Sequence, residues 1–160
     1  MKKALAEIAA PDHAADVRLW LRLLGCANLI EGEIRRRLRE RFGATLPRFD
    51  LMAQLDRAPE GLTLSDLSKR MMVSNGNLTG LVERLVASGH LARRASDTDR
   101  RAQVITLSDL GRRDFRAMAA EHQDWIAAML ADLGPGDREA LAALLARTKL
   151  SARRAIGDAP

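Results

Sequence analysis

Residues 63–107 restrict the fold of this chain more than any other segment: two short amphipathic helices, a tight turn and two β-prone runs follow one another with almost nothing between them. Thr63-Leu64-Ser65-Asp66 has capping-box spacing, in which a hydroxyl and a carboxylate three residues on satisfy the unpaired N–H groups of a helix start. The spacing predicts a helix from there to about Met71. Val73-Ser74-Asn75 reads as a turn, and Ser74 caps a further helix over residues 75–88 that stops at Gly89. His90-Leu91-Ala92-Arg93-Arg94 and Ala102-Gln103-Val104-Ile105-Thr106-Leu107 then read as two strands joined by a polar tip. Two helices, a turn and a hairpin in that order are the layout of a winged helix-turn-helix.

Helical periodicity flanks this segment on both sides. Over residues 16–42, Val17, Trp20, Leu23, Leu24, Ala27, Ile30, Ile34, Leu38 and Phe42 recur at steps of mostly three or four. The first half of that helix is apolar enough for burial against a partner. Its second half crowds Arg35, Arg36, Arg37, Arg39 and Arg41, either as a solvated face complementing the helix C-terminus or as phosphate contacts. Pro47 opens a second helix over residues 48–57, with Phe49, Met52 and Leu55 inward. After Ser108-Asp109 a long helix reaches about Leu133, Gly134-Pro135-Gly136-Asp137 breaks it, and a last helix carries Leu141, Leu144, Leu145 and Thr148. The expected class is mainly α (α+β).

Turning the helix over residues 75–88 by 100° per residue places Leu78, Leu81, Val82, Leu85 and Val86 on one arc, which must face a core. Gly76, Gly80 and Ala87 centre the opposite arc, flanked by Asn77, Thr79, Glu83 and Arg84. Each glycine costs about 1 kcal/mol relative to alanine inside a helix. One reading is a tolerated pair on a surface helix. The other gives the cost a return: the bare backbone approaches a DNA groove wall while Asn75, Asn77 and Thr79 reach base edges or phosphates. The N-terminal N–H groups beyond Ser74 favour a phosphate oxygen. At the hairpin tip, Arg100 or Arg101 suits a narrow minor groove, and Asp99 pairs with the other arginine to hold the tip in shape.

Charge alone does not choose the partner. The chain of 160 residues has 26 Lys+Arg and 21 Asp+Glu, a net +5. The excess is +2, +2 and +1 over residues 1–60, 61–110 and 111–160, so no segment is a basic arm. Glu7 and Pro11 interrupt the short apolar run after Met1-Lys2-Lys3, which is too polar for a secretion signal. With no apolar run of membrane-spanning length and one cysteine, the expectation is a cytoplasmic protein with no membrane partner. His13, His90 and His122 share no ligand spacing, and no phosphate loop or nucleophile elbow is present. No metal, no cofactor and no enzymatic activity are expected.

Leu64-Ser65-Asp66-Leu67-Ser68-Lys69, the run Ser74-Asn75-Gly76-Asn77-Leu78-Thr79-Gly80-Leu81-Val82-Glu83-Arg84-Leu85, and the wing Asp99-Arg100-Arg101 followed by Leu107-Ser108 and Gly111 resemble the MarR family of bacterial transcriptional regulators. The family's wing pattern is met at Asp99, Arg101 and Leu107, with Ser108 in place of the usual Thr. The resemblance extends from Asp16 to about Ala152. It implies a homodimer built on the first helix and the last two, with each winged lobe reading half of a pseudo-palindromic operator in double-stranded DNA. The implied division is a flexible segment over 1–15, a dimerisation helix over 16–46, the winged lobe over 47–109, dimerisation helices over 110–152 and a flexible tail over 153–160. The DNA-facing set is then Ser65, Ser74, Asn75, Gly76, Asn77, Thr79, Gly80, Arg84, Asp99, Arg100 and Arg101.

The resemblance further implies a repressor released by a small aromatic acid, or its CoA thioester, entering a cleft lined by the first, second and fifth helices. Trp20, Leu24, Ile30, Arg48, Phe49, Met52 and His122 are the candidates there, with Arg48 meeting a carboxylate. Each has a plainer alternative: core packing for the apolar residues, a solvated helix start or a DNA-backbone contact for Arg48. Some relatives sense oxidants through a cysteine near the first helix. Cys26, among Leu23, Leu24, Ala27 and Leu29, reads instead as buried and inert. The other alternative is a winged-helix adaptor that binds proteins and has lost DNA contact, which would not need small residues beside a cationic wing.

Overall fold

The computed structural model describes residues 13–95 and 103–157. Its elements are α1 (His13–Phe42), α2 (Leu46–Asp56), β1 (Leu62–Thr63), α3 (Leu64–Met71), α4 (Asn75–Ala87), β2 (Leu91–Ala95), β3 (Gln103–Leu107), α5 (Asp109–Met129) and α6 (Pro135–Ala155). The fold is mainly helical with one small antiparallel sheet, the class expected. The chain forms two compact units, one through Met118 and one from Ala119.

In the first unit each short helix starts on a hydroxyl cap. The Arg48 N–H donates to Thr45 Oγ1 at 3.3 Å, with Pro47 in the first turn of α2. The Asp66 N–H donates to Thr63 Oγ1 at 3.1 Å, while the Thr63 hydroxyl donates to the Asp66 carboxylate at 2.7 Å. Ser74 caps α4 by accepting from the Asn77 N–H at 3.5 Å. Between α3 and α4 the chain turns at Met72, in the left-handed region at φ +54°. The Ser68 hydroxyl holds that turn by donating to the Val73 carbonyl at 2.7 Å.

The sheet has the order β1-β3-β2. The hairpin register puts Leu91 opposite Leu107 and Ala95 opposite Gln103. Sequence reasoning found this hairpin but not β1, whose two residues pair with Ile105 and Val104 and are too few to show a period of two. Leu91, Ile105 and Leu107 are buried, as are Leu51, Met52 and Leu55 of α2, Leu67 of α3, and Leu78 and Val82 of α4. Burying side chains of this size stabilises by about 1.5–3 kcal/mol each.

Where the hairpin meets α5, a Cβ on Gly111 would stand 2.0 Å from the His90 carbonyl oxygen, so only glycine fits. Ser108 closes the same corner: its hydroxyl donates to the Gly89 carbonyl at 2.6 Å and accepts the Gly111 N–H at 3.0 Å. A serine supplies both bonds as a threonine would.

Both ends of the flanking helices differ from the sequence expectation. α1 starts at His13, inside the segment expected to be loose, with Asp16 complementing its first turn. α5 ends at Met129, and Pro135 belongs to α6 instead of to the break: Gly134 is the N-cap, its N–H donating to Asp137 at 3.3 Å. Proline is tolerated in a first turn, where its missing N–H has no helical acceptor. Arg138 locks the preceding turn by donating to the carbonyls of Leu130 and Leu133, each at 2.8 Å. At the far end residues 153–155, expected in the tail, continue α6 until Gly157 at φ +76°.

Two apolar surfaces remain exposed. α1 buries only Ile34 and Leu38, leaving Val17, Leu19, Trp20, Leu21 and Leu29 more than half exposed. α6 buries nothing and exposes Leu141, Leu144, Leu145 and Leu150. Trp125 of α5 is buried within the single chain. Among the described residues no helix is long and apolar enough to cross a membrane.

Candidate nucleic-acid interface

α4 owes its orientation to Leu78, Val82 and Leu85, all buried. That turns Gly76 and Gly80 outward. A Cβ on Gly76 would meet nothing within 4 Å, and one on Gly80 would meet only the Arg84 guanidinium, at 3.5 Å. Neither glycine is demanded by packing among the described residues. Ser65, Ser74, Asn75, Asn77 and Arg84 are exposed and Thr79 is half-buried. The Thr79 hydroxyl donates to the Asn75 carbonyl at 2.8 Å, so it offers an incoming group only acceptor lone pairs and a methyl. Asn77 and Arg84 line one groove with Arg35 and Arg39 of α1. Asp99, Arg100 and Arg101 lie outside the described residues. At the wing's base, Arg94 donates to the Glu60 carbonyl at 3.0 Å, pinning β2 to the turn before β1.

The arginines of α1 divide. Arg36 and Arg37 both grip Glu33, at 2.6 Å each, and these hydrogen bonds, Arg36 first, lower the Glu33 pKa to about 2. Arg36 also meets Glu40 at 2.5 Å, and Arg35 pairs with Glu31. These are exposed or half-buried helix pairs at steps of three and four, each of small energetic weight.

Among the described residues the seven effector candidates have different surroundings. Phe49 and Met52 are core residues, the Phe49 ring lying 5.5 Å from that of Phe115. A helix as short as α2 must give its inward positions to the lobe. Trp20 and Leu24 are exposed on α1, and Ile30 is half-buried. His122 is half-buried in the second unit and has a partner of its own. Arg48 lines a cavity of about 170 Å³ with Phe42, Asp114, Ala117 and Met118. Its Nε is buried without an acceptor among the described residues. Cys26 is exposed in the single chain, against the expectation of burial, because the first half of α1 lies outside the lobe's core.

A polar junction escaped sequence reasoning. His90 Nε2 lies 2.9 Å from Arg48 Nη2 and 2.9 Å from the Asp114 carboxylate, while Nδ1 lies 2.8 Å from the Ser88 hydroxyl. One ring nitrogen carries either a lone pair or a proton. Nε2 therefore accepts from Arg48 or donates to Asp114, never both at once. The junction ties α2, the foot of the wing and α5 together. Its members are 24 and 42 residues apart, so no local spacing announces it.

A capped two-helix motif, an outward bare helix face and a three-stranded wing define a winged helix-turn-helix protein. The MarR family model matches residues 42–102. The transcriptional activatory protein BadR of Rhodopseudomonas palustris is 34% identical over 69% of this chain and 67% of its own length. A MarR family transcriptional regulator from Silicibacter pomeroyi is 32% identical, with a TM-score of 0.72 over 89% of this chain and 99% of that one. Sco3205 from Streptomyces coelicolor, solved in complex with DNA, shares the fold at a TM-score of 0.78 with 22% identity, covering 89% of this chain and 92% of its own. The chain belongs to the MarR family. It is a DNA-binding transcriptional regulator, not an enzyme.

Proposed function

We propose that the protein binds a pseudo-palindromic operator as a homodimer, with α4 in the major groove and one of the wing arginines Arg100 and Arg101 reaching the minor groove. One observation carries this reading: Gly76 and Gly80 leave the outer face of α4 bare although nothing among the described residues needs that space. Their helix-weakening cost of about 1 kcal/mol each is answered by close approach of an outside surface. Asn75, Asn77 and Arg84 flank that face, and Ser65 of α3 is exposed as they are. The exposed leucines of α6 and the apolar first half of α1 support a second copy as the cover of both surfaces.

The effector reading rests on Arg48. A cavity of about 170 Å³ is close to the size of an engineered apolar cavity that takes up benzene. It therefore fits one aromatic ring and not a CoA thioester, with the buried Arg48 Nε as donor to a carboxylate. The BadR relative is an activatory protein. For this chain the sign of regulation follows from where the operator lies relative to its promoter: overlap gives repression. Redox sensing through Cys26 draws only on that residue's exposure and would be closed by the α1 cover of the dimer.

Gel-shift titration at fixed salt tests the operator reading. Arg100→Ala with Arg101→Ala is expected to weaken binding and flatten its salt dependence by about one contact. Unchanged affinity and slope would remove the wing from the interface. Benzoate and benzoyl-CoA, compared for operator release in wild type and Arg48→Ala, test the effector. Release by benzoate that the variant loses supports the Arg48 cavity, and no release by either ligand contradicts it.

A further inference from the structure

The C-terminal half of α1 carries an arginine that its own helix leaves unpaired. Arg36 and Arg37 are held by Glu33, and Arg35 reaches Glu31, four residues back. Arg39 has Arg35, Arg36, Phe42 and Gly43 at its steps of three and four, none of them acidic, so no helical ion pair can form. Arg84 of α4 has Gly80, Leu81, Ala87 and Ser88 at the same steps and is in the same position. Among the described residues Arg39 and Arg84 are exposed and have no ion-pair partner. Both line one groove between α1, the start of α2 and α4, whose lining also includes Asn77, Leu46 and Leu81 and contains no acid.

The position of that groove relative to the bare face of α4 decides what it meets. At 100° per residue, Arg84 and Asn77 stand about 60–80° to one side of the line through Gly76, Gly80 and Ala87, and Leu81 follows beyond them. A helix with its side chains is about 10–12 Å across and the major groove is about 12 Å wide. A helix lying there has a sugar-phosphate strand against each shoulder. The strand beside Asn77 and Arg84 therefore runs along the groove that Arg39 lines. Guanidinium groups suit phosphate oxygens, leucines suit the apolar face of deoxyribose, and a concave wall of one charge sign strengthens the attraction. We propose that Arg39 is a DNA-phosphate contact: with Arg84 it holds the strand bordering the major groove, so that α1, expected only to dimerise, also binds DNA. A phosphate contact carries no sequence information; it fixes the register and orientation of α4 on the duplex. The inference rests on the operator reading, which sets α4 in the major groove.

Fluorescence-anisotropy titration over a series of salt concentrations tests the proposal with two probes: a mixed-sequence DNA duplex, and an operator selected from random-sequence duplexes by the wild-type protein. Wild type, Arg39→Ala, Arg39→Lys and Gly80→Leu are compared. For each chain that binds, Arg39→Ala is expected to flatten the plot of log affinity against log salt by about 0.9, which is about fivefold weaker binding at 0.15 M salt. The loss should be the same factor on both probes, as for a contact that reads no base. Arg39→Lys, which keeps the point charge, should restore the slope. Sedimentation velocity and the melting temperature of Arg39→Ala should match wild type, since the side chain is exposed and pairs with nothing described. An unchanged slope in Arg39→Ala, a loss confined to the selected operator, or a loss that Arg39→Lys does not restore overturns the contact. An unchanged Arg39→Ala slope while Gly80→Leu loses affinity overturns the contact and leaves the operator reading standing. Wild-type affinity in Gly80→Leu with a flattened Arg39→Ala slope overturns the placement of α4 and leaves Arg39 a phosphate contact.

Discussion

Arg84 lies across Gly80, its Nη1 3.5 Å from where a Cβ on that glycine would stand. The contact is ordinary van der Waals distance to the far end of a flexible side chain. A larger residue at position 80 can therefore be accommodated by the fold, whatever it does to a surface approaching from outside. The separation of folding from recognition at this one position makes the interface testable.

Gly111 is the opposite case. Its missing Cβ lets α5 start against the His90 carbonyl, where a methyl would stand 2.0 Å from backbone oxygen. Gly111→Ala is expected to destabilise the lobe by about 2–3 kcal/mol, because backbone must move on both sides. Urea unfolding followed by circular dichroism measures it, with a lower midpoint as the expected outcome.

The α3 cap links stability to acid. The Thr63 hydroxyl bond, and after it the Thr63 backbone N–H, holds the Asp66 carboxyl below its ordinary value of 3.8. A depressed carboxyl contributes stability that is present above the unfolded pKa and is lost as pH falls through the folded one. Thr63→Ala is expected to cost about 1 kcal/mol at neutral pH. The gap between wild type and variant should narrow below about pH 4, the range in which aspartates protonate. Thermal melts at pH 7 and pH 3 read both numbers.

How much of this was legible in the sequence depended on the range of the interactions. Thr63, Ser74 and the leucines of α4 act on neighbours within four residues, and spacing alone located the caps and the buried arc. The Gly134 cap was missed because Gly-Pro-Gly-Asp reads equally as a break or as a start, and only Asp137 bonding back to Gly134 distinguishes them. The His90 junction and the charged groove join elements far apart in sequence. Arg39 looked like one of five equivalent arginines until its neighbours had chosen their glutamates. Trp20 and Met52 share an apolar character, yet one is exposed and the other fully buried, a difference set by which helix face the lobe needs.

α6 exposes a leucine face that one chain leaves in water. Leu141→Glu with Leu144→Glu should shift the protein toward monomer in sedimentation velocity, weakening self-association by about tenfold or more, since each leucine loses roughly 1 kcal/mol of partner burial. The lobe, which takes no residue from α6 into its core, should keep its fold. A dimer of unchanged stability would place the interface elsewhere.

Operator affinity of Gly80→Leu, measured by fluorescence anisotropy at fixed salt beside a melting curve, tests the central claim most directly. A leucine there holds the helix off the groove and displaces Arg84, the one described group within 4 Å of its Cβ. The account predicts operator affinity lower by about 10- to 100-fold, the weight of one or two base contacts, with a melting temperature within a few degrees of wild type. Wild-type affinity in a folded Gly80→Leu protein would contradict it.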